Sequence, residues 1–351
     1  MRGSRKYSLN DLKPGMVLAR TVFADDGRNI IGKRTVLTKQ KISLLHSWDV
    51  SAVEILDMNG PPGKELSYPQ FANVHVAILS TLTQTFIKAR LLKTLSAAEM
   101  DELAQQAEKI VQDETAVLGH LAMIHNTDDY IFKHSVNVGI IAGLIGKWIG
   151  YTGTKWKELI LAGFLHDIGK TQIPLPILNK PNKLSSCEWQ VIKQHPVLGF
   201  ELLQSPAPPT EDVLSGVYQH HERVDGRGYP RGLSGPQISL VAKIIAIADI
   251  YDAMTSDRSY RNAETPFQAI EEIHRQMFGK LDPELCNIFI SKARESFIGM
   301  EVRLSDGSEA TVMAIDQTTI AKPILRKKTG CYTNLAQSNL TIIAVEPSED
   351  H

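Results

Sequence analysis

The sequence predicts a mainly α protein, with a long helical middle flanked by small β-rich N-terminal and C-terminal units. Three observations carry that prediction. Apolar residues recur at helical spacing from about residue 69 to about 296. Short alternating stretches bounded by turn residues are confined to about 7–57 and 298–346. Clusters of prolines and glycines punctuate the helical region without turning it into strands.

Taken in order, Leu12-Lys13-Pro14-Gly15-Met16 is a turn before the apolar strand Val17-Leu18-Ala19. Asp25-Asp26-Gly27-Arg28 reads as a hairpin turn, Thr38 to His46 as a short helix, and Val53-Glu54-Ile55-Leu56 as a strand. Asn59-Gly60-Pro61-Pro62-Gly63 breaks all periodicity and marks a linker. The expected divisions are a β-rich domain over 1–58, a linker and helical connector over 59–124, a second helical domain over 125–297 and a β-rich unit over 298–351. In the connector, Val74, Ile78, Leu82 and Phe86 share a helix face, and Ser96-Ala97-Ala98-Glu99 opens a second helix in capping-box form. These helices are core, or a dimerising or signalling connector. Further helices are expected at Val136–Ile149, Glu211–Tyr218, Leu240–Met254 and Pro283–Ser296, with a glycine-rich loop over 225–236. At the C-terminus, Met300–Leu304, Ala310–Ile315 and Ile342–Val345 read as strands around the Asp306-Gly307 turn.

Bulk properties exclude several classes. A formal net charge of -1 argues against a large surface for nucleic-acid polymers or anionic membranes. Cys187, Cys286 and Cys331 are far apart and form neither a disulfide framework nor a thiolate zinc motif, which fits a cytoplasmic setting. The N-terminal residues have no signal-peptide core. Val136–Ile149 is too short to span a bilayer, and Asn137, Lys147 and glycines punctuate it, so it is expected to be a buried helix.

The chemistry concentrates in the helical middle: His134, the pair His166-Asp167, His195, the pair His220-His221, and Asp249 inside Ile244–Asp252. A lone histidine is more often a core or surface residue. The ordered set is hard to explain as packing, because burying a carboxylate without a partner costs several kcal/mol, roughly. Imidazole nitrogens and carboxylate oxygens suit iron, manganese, zinc and similar divalent ions, and the lack of thiolates argues against a purely structural zinc. Gly169 and Pro174 predict that a helix ends just after the His166-Asp167 pair, turning its last carbonyls toward a cation.

The run His166-Asp167-Ile168-Gly169-Lys170, then His195-Pro196, His220-His221-Glu222, Asp225-Gly226-Arg227-Gly228-Tyr229-Pro230 and Ala248-Asp249-Ile250-Tyr251-Asp252 through Arg261 resembles the HD-GYP subgroup of the HD metal-dependent phosphohydrolase superfamily. The resemblance covers roughly residues 125 to 294 and implies an HD-type all-α bundle. It implies a cyclic di-GMP phosphodiesterase that yields linear pGpG through a hydroxide bridging two metals, with the second cleavage to GMP left open. By position it makes His134, His166, Asp167, His195, His220, His221 and Asp249 ligands of two divalent ions, iron or manganese, with Asp167 as the bridge. Members with a third metal carry an acid where this chain has Tyr130, and Asp129 is one residue off that face, so two ions are expected.

Lys170, Arg258 and Arg261 match cations that contact substrate phosphates, and the loop residues Gly228 and Tyr229 fall where substrate would approach. The blander readings are solvated cations and a loop that only covers the site. Glu222 and Asp225 are candidates for orienting the histidines, and Asp252 for the same role or a helix cap. The resemblance also implies diguanylate cyclases as partners of the Gly-Tyr-Pro loop, and a homodimer is considered. The segment around Leu12–Met16 is similar to a small domain that often precedes HD-GYP units, with a regulatory, dimerising or structural role. The alternative function is a non-hydrolytic cyclic di-GMP sensor or partner-docking module on the same site.

Overall fold

In the computed structural model the chain divides into two units, Leu66–Ser296 and, together, Met1–Glu65 with Phe297–His351. The described residues are 4–13, 16–23, 29–32, 37, 42, 45–46, 48, 50–56, 67–93, 95–111, 117–124, 130–204, 208–256, 263–316 and 319–346.

The second unit carries the small sheets. Strands β1 (Ser4–Ser8) and β4 (Ala52–Leu56) pair antiparallel, as do β2 (Val22–Phe23) and β3 (Asn29–Ile31). Val17-Leu18-Ala19, expected as a strand, instead forms an isolated bridge, with Leu18 opposite Ile55. Its amides and carbonyls still bond the edge of β4, from Ala19 N to Glu54 O at 2.8 Å and from Leu56 N to Val17 O at 2.8 Å. C-terminally, β5 (Glu301–Leu304), β6 (Glu309–Ala314), β7 (Ile324–Lys327), β8 (Tyr332–Asn334) and β9 (Ile342–Glu346) form one antiparallel sheet in the order β8-β7-β6-β5-β9. The turn at Asp25–Arg28 and the linker at Asn59–Gly63 lie outside the described residues, as does most of the expected helix at Thr38–His46.

The helical unit begins with α1 (Tyr68–Leu92), set by a capping box between Ser67 and Gln70 and a proline in its first turn. It buries Phe71, His75, Ile78, Leu82 and Phe86, a stripe at helical spacing. Then follow α2 (Ala97–Val111), α3 (Val117–Met123), α4 (Tyr130–Trp148) and α5 (Gly153–Leu165). The chain next tightens into a 3₁₀ turn over Ile168–Gln172 and continues through α6 (Leu175–Leu178), α7 (Ser186–Ile192), α8 (His195–Leu203) and α9 (Glu211–Gln219). The unit closes with α10 (Leu240–Thr255), α11 (Pro266–Gln276) and α12 (Pro283–Phe297).

Helices α4, α5 and α10 are apolar on most of their surface because they are packed on several sides. α4 lies against α1, α2, α5 and α10, and α5 also packs on α9. The indole of Trp156 in α5 donates to the Gly143 carbonyl of α4 at 2.8 Å, and Ser239 caps α10 by accepting from Ala242 N at 3.1 Å. Burying a side chain such as Phe164 at this centre contributes about 1.5–3 kcal/mol. No helix among the described residues is long and apolar enough to cross a membrane.

One close approach positions the chemistry. The 168–172 turn packs on the start of α8, and an added Cβ at Gly169 would lie 1.9 Å from the His195 carbonyl oxygen. Only glycine lets these two backbones meet, and their meeting brings His166-Asp167 to His195. Gly169→Ala is therefore expected to destabilise the protein by about 1–3 kcal/mol, an overpacking cost taken against backbone. The denaturant midpoint measures it, and an unchanged midpoint would show that the two segments separate freely.

Candidate metal centre

Helix ends build the site. His166 is the residue that caps α5, and Asp167 follows with φ -98° and ψ 7°, so the helix stops just before the pair rather than after it. His195 opens α8, His220 caps α9 with His221 next to it, and His134 and Asp249 project from α4 and α10. Five chain segments thus meet. His134, His166, Asp167, His195 and His220 are all buried.

Asp167 is at the centre, 1% exposed. Its Oδ2 faces His166 Nε2 at 3.3 Å and His134 Nε2 at 3.8 Å, while its Oδ1 faces His195 Nε2 at 3.3 Å. Two groups able to hold a metal share it: His134, His166 and Asp167 on one side, and Asp167, His195, His220 and His221 on the other, with the ligand atoms of each group within 4.8 Å. Asp249 reaches both groups, its Oδ1 3.2 Å from His134 Nε2 and its Oδ2 4.0 Å from His221 Nδ1. All seven expected ligand residues therefore converge.

The imidazoles are oriented by a repeated device. Nδ1 of His166, His195 and His220 each lies 2.8 Å from the backbone carbonyl three residues earlier, those of Gly163, Ile192 and Val217. A carbonyl only accepts, so each Nδ1 carries the proton and each Nε2 presents a lone pair. The carbonyls belong to last turns of helices, where they lack intrahelical partners. His134 uses a side chain instead: its Nδ1 lies 2.6 Å from Asp252 Oδ2. Such partners fix tautomer and ring plane in metal sites.

That geometry fits a cation. The Nε2 atoms of His195 and His220 lie 3.1 Å apart with both Nδ1 positions already donating, so this approach sets two lone pairs against each other and is not a hydrogen bond. Protonation does not relieve it, because burial pushes His195 down to about 4 and holds His220 well below the ordinary histidine value. His166 Nε2 and Asp167 Oδ1 are likewise buried without a hydrogen-bond partner. Burial opposes ionisation of Asp167 most strongly, but nearby positive charge, led by the Lys170 ammonium, outweighs it and keeps the carboxyl well below its usual range. Asp249 is also held low: burial is again outweighed, here by the hydrogen bond and charge of His134.

Around this centre, the Lys170 ammonium donates to Asp167 Oδ2 at 2.5 Å and remains a quarter exposed. Tyr229 stacks on His221 with ring centroids 4.6 Å apart and an angle of 28°, and the ammonium of Lys193 lies 5.3 Å over the Tyr229 ring. Burial, then the charges of Asp167 and Asp249, raise the tyrosine pKa, so it stays a phenol. The Tyr229–Pro230 peptide is cis. Gly228 is needed because a Cβ there would fall 2.4 Å from the backbone of Glu222 and Arg223. Arg258 and Arg261 lie outside the described residues, as does Asp129.

Two expectations about orienting residues need correction. Glu222 is buried, but it accepts from Arg231 N at 2.8 Å and Leu233 N at 2.9 Å, so it pins the glycine-rich loop rather than a histidine. Asp225 is exposed and accepts from Arg227 N at 3.0 Å. The orienting carboxylate is Asp252, which also accepts from Asn137 Nδ2 at 2.7 Å. Asn137 and Lys193 were missed; the only sequence signal for Asn137 was a polar residue one helical turn from His134 in an apolar run.

Comparison with known proteins agrees with this architecture. Residues 120–285 match the family model of the HD domain. A cyclic di-GMP phosphodiesterase of Pseudomonas aeruginosa is 32% identical over 276 residues, which is 75% of this chain and 65% of the relative. Another, of Thermotoga maritima, is 34% identical over 197 residues, 56% of this chain and 53% of the relative. A 3′3′-cGAMP-specific phosphodiesterase of Vibrio cholerae is 34% identical over 183 residues, 52% of this chain and 39% of the relative. This chain therefore spans between 39% and 65% of these curated relatives. The solved structure of Bd1817, an HDG"Y"P protein from Bdellovibrio bacteriovorus, shares the fold with a TM-score of 0.53 at 17% identity, covering 82% of this chain and 98% of that one.

The histidines and aspartates gathered at the helix ends of this bundle form a site able to hold divalent metal, in keeping with the match to the HD domain. Residues 120–285 of the chain match the HD domain, and its Gly-Tyr-Pro loop and ordered ligand motifs are similar to those of the HD-GYP subgroup.

The sign of the pH dependence follows from His134. Burial lowers its pKa, but hydrogen bonds to Asp249 and Asp252 outweigh burial and raise it to about 9. Without metal its charged form contributes stability fully below about pH 6.5, and that contribution is lost as the pH rises through about 9. A protonated ring cannot ligate. Metal uptake by stripped protein at pH 7 is thus expected to release a proton, and affinity to rise up to about pH 9. Calorimetry in buffers of different ionisation enthalpy checks this; proton-neutral binding at pH 7 would contradict it.

Proposed function

We propose that the chain is a metal-dependent phosphodiesterase that hydrolyses cyclic di-GMP to linear pGpG and on to GMP. The observation that carries the reading is Asp167, whose two carboxylate oxygens face two separate histidine groups. The reading assigns two divalent ions to them, one held mainly by His134 and His166 and one by His195, His220 and His221, with Asp249 beside both and Asp167 as the bridge. The donor set, nitrogen and oxygen without thiolate, supports iron or manganese. When bound, such ions supply Lewis acidity and activation of a water nucleophile.

The chain's own residues do the rest. The helix-end carbonyls and Asp252 keep the imidazoles aimed without reorganisation. Lys170, anchored by Asp167 and a quarter exposed, supplies a fixed cation next to the phosphate under attack. Tyr229, held over His221, offers a flat face at the rim of the site to a guanine base. Arg258 and Arg261 join the reading as further phosphate contacts on the strength of their motif alone. The unpaired cysteines support a cytoplasmic setting.

Incubating metal-replete protein with cyclic di-GMP under reducing conditions and separating the products by chromatography tests this. Formation of pGpG is expected. If iron- and manganese-loaded protein gave neither dinucleotide nor GMP, the sensor reading would replace it, and faster turnover of 3′3′-cGAMP in a parallel reaction would redirect the substrate. Asp167→Ala should lose metal and turnover together. Lys170→Ala should keep its metal and lose about 10²–10³-fold in kcat, the scale for one preorganised charge contact. Metal loss in Lys170→Ala, measured by elemental analysis, would show that the lysine is structural.

A further inference from the structure

The hydrogen bonds behind His134 do not stop at Asp252. Asp252 is buried, and its Oδ1 accepts from Asn137 Nδ2 at 2.7 Å and from Ser256 Oγ at 3.1 Å while its Oδ2 takes the His134 Nδ1 proton. Asn137 is buried too, and the NH₂ that faces Asp252 leaves its Oδ1 pointing the other way. There it meets Nε2 of His75 at 2.8 Å. An amide oxygen needs a donor, so His75 carries its proton on Nε2. Every step of the chain then runs donor to acceptor toward one carboxylate: His75 to Asn137, Asn137 to Asp252, with His134 donating from the other side.

His75 is 2% exposed and sits on α1, outside the stretch that matches the HD domain. Its ring is stacked against Phe71, one turn earlier, with centroids 6.1 Å apart. The same helix is tied to the segment after the His166-Asp167 pair, where Arg90 donates to Ile173 O at 3.1 Å and Gln172 Nε2 donates to Ala89 O at 3.3 Å. α1 is thus bonded to the supports of both halves of the metal centre.

We propose that His75 is a positioning residue for the metal centre, locking the Asn137 amide so that Asp252 holds His134 in one tautomer and one ring plane. Without the His75 donor, the buried Asn137 Oδ1 loses this partner and the amide is fixed only from its Asp252 side, free to tilt and to carry the carboxylate with it. The inference rests on the reading of these residues as divalent-metal ligands.

The test titrates cobalt(II) into the metal-stripped full chain and follows visible absorption and chelator competition. His75→Gln puts an amide donor near the place of Nε2, and His75→Asn is too short to reach Asn137. Cobalt affinity is expected to fall about tenfold in His75→Asn with a changed band shape, the lower end of the effect of outer partners on metal affinity. His75→Gln should restore both. Phe71→Leu, a volume loss at the equally buried neighbour, should lower the melting temperature and leave the cobalt spectrum and affinity unchanged. Wild-type affinity and spectrum in His75→Asn would overturn the proposal, as would an equal loss in His75→Gln or Phe71→Leu. No cobalt uptake by the wild-type chain would overturn the metal reading itself, an outcome distinct from unaltered binding in the variants.

Discussion

A buried carboxylate ringed by imidazole lone pairs is the constraint on which the helical unit depends. Asp167 is nearly inaccessible, and the histidines around it have been forced by their own hydrogen bonds to point Nε2 inward. Lone pairs aimed at one another and at a carboxylate repel; a cation converts the same arrangement from costly to favourable. Lys170 supplies one positive charge at the edge, and His134, protonated when no metal is bound, supplies another. Neither satisfies the lone pairs of His195 and His220.

The fold answers that constraint with helix ends. Last-turn carbonyls have no partners within their own helices, and here three of them orient His166, His195 and His220. Stability and function therefore use the same bonds: the groups that finish a helix also select a tautomer. Gly169 makes this possible by letting the turn after the Asp167 pair touch the start of α8. The glycine-rich loop is held in the same economical way, with both Glu222 oxygens spent on loop amides so that Tyr229 rests on His221.

Much of this was legible in the sequence. Histidines and aspartates inside apolar runs are conspicuous, since burial without a partner is so costly, and all seven candidates meet. The major helices were legible from 3.6-residue periodicity, and α10 from an apolar run behind a serine. The partners of the ligands were not. Which carboxylate orients an imidazole depends on the crossing of α4 and α10, which brings together Asp252 and His134, 118 residues apart in sequence, and local spacing offered Glu222 and Asp225 beside Asp252 without choosing among them. Backbone carbonyls leave no trace in residue identity at all. Strands β7 and β8 were also missed, because β7 is four residues long and ends in Arg326 and Lys327, and β8 is three residues long with two polar side chains after Tyr332.

The central claim is that Asp167 joins two metal ions. Elemental analysis of protein purified without oxygen tests it most directly. The account predicts two iron or manganese ions per chain. A single ion per chain, or none in protein that still turns over cyclic di-GMP, would contradict it.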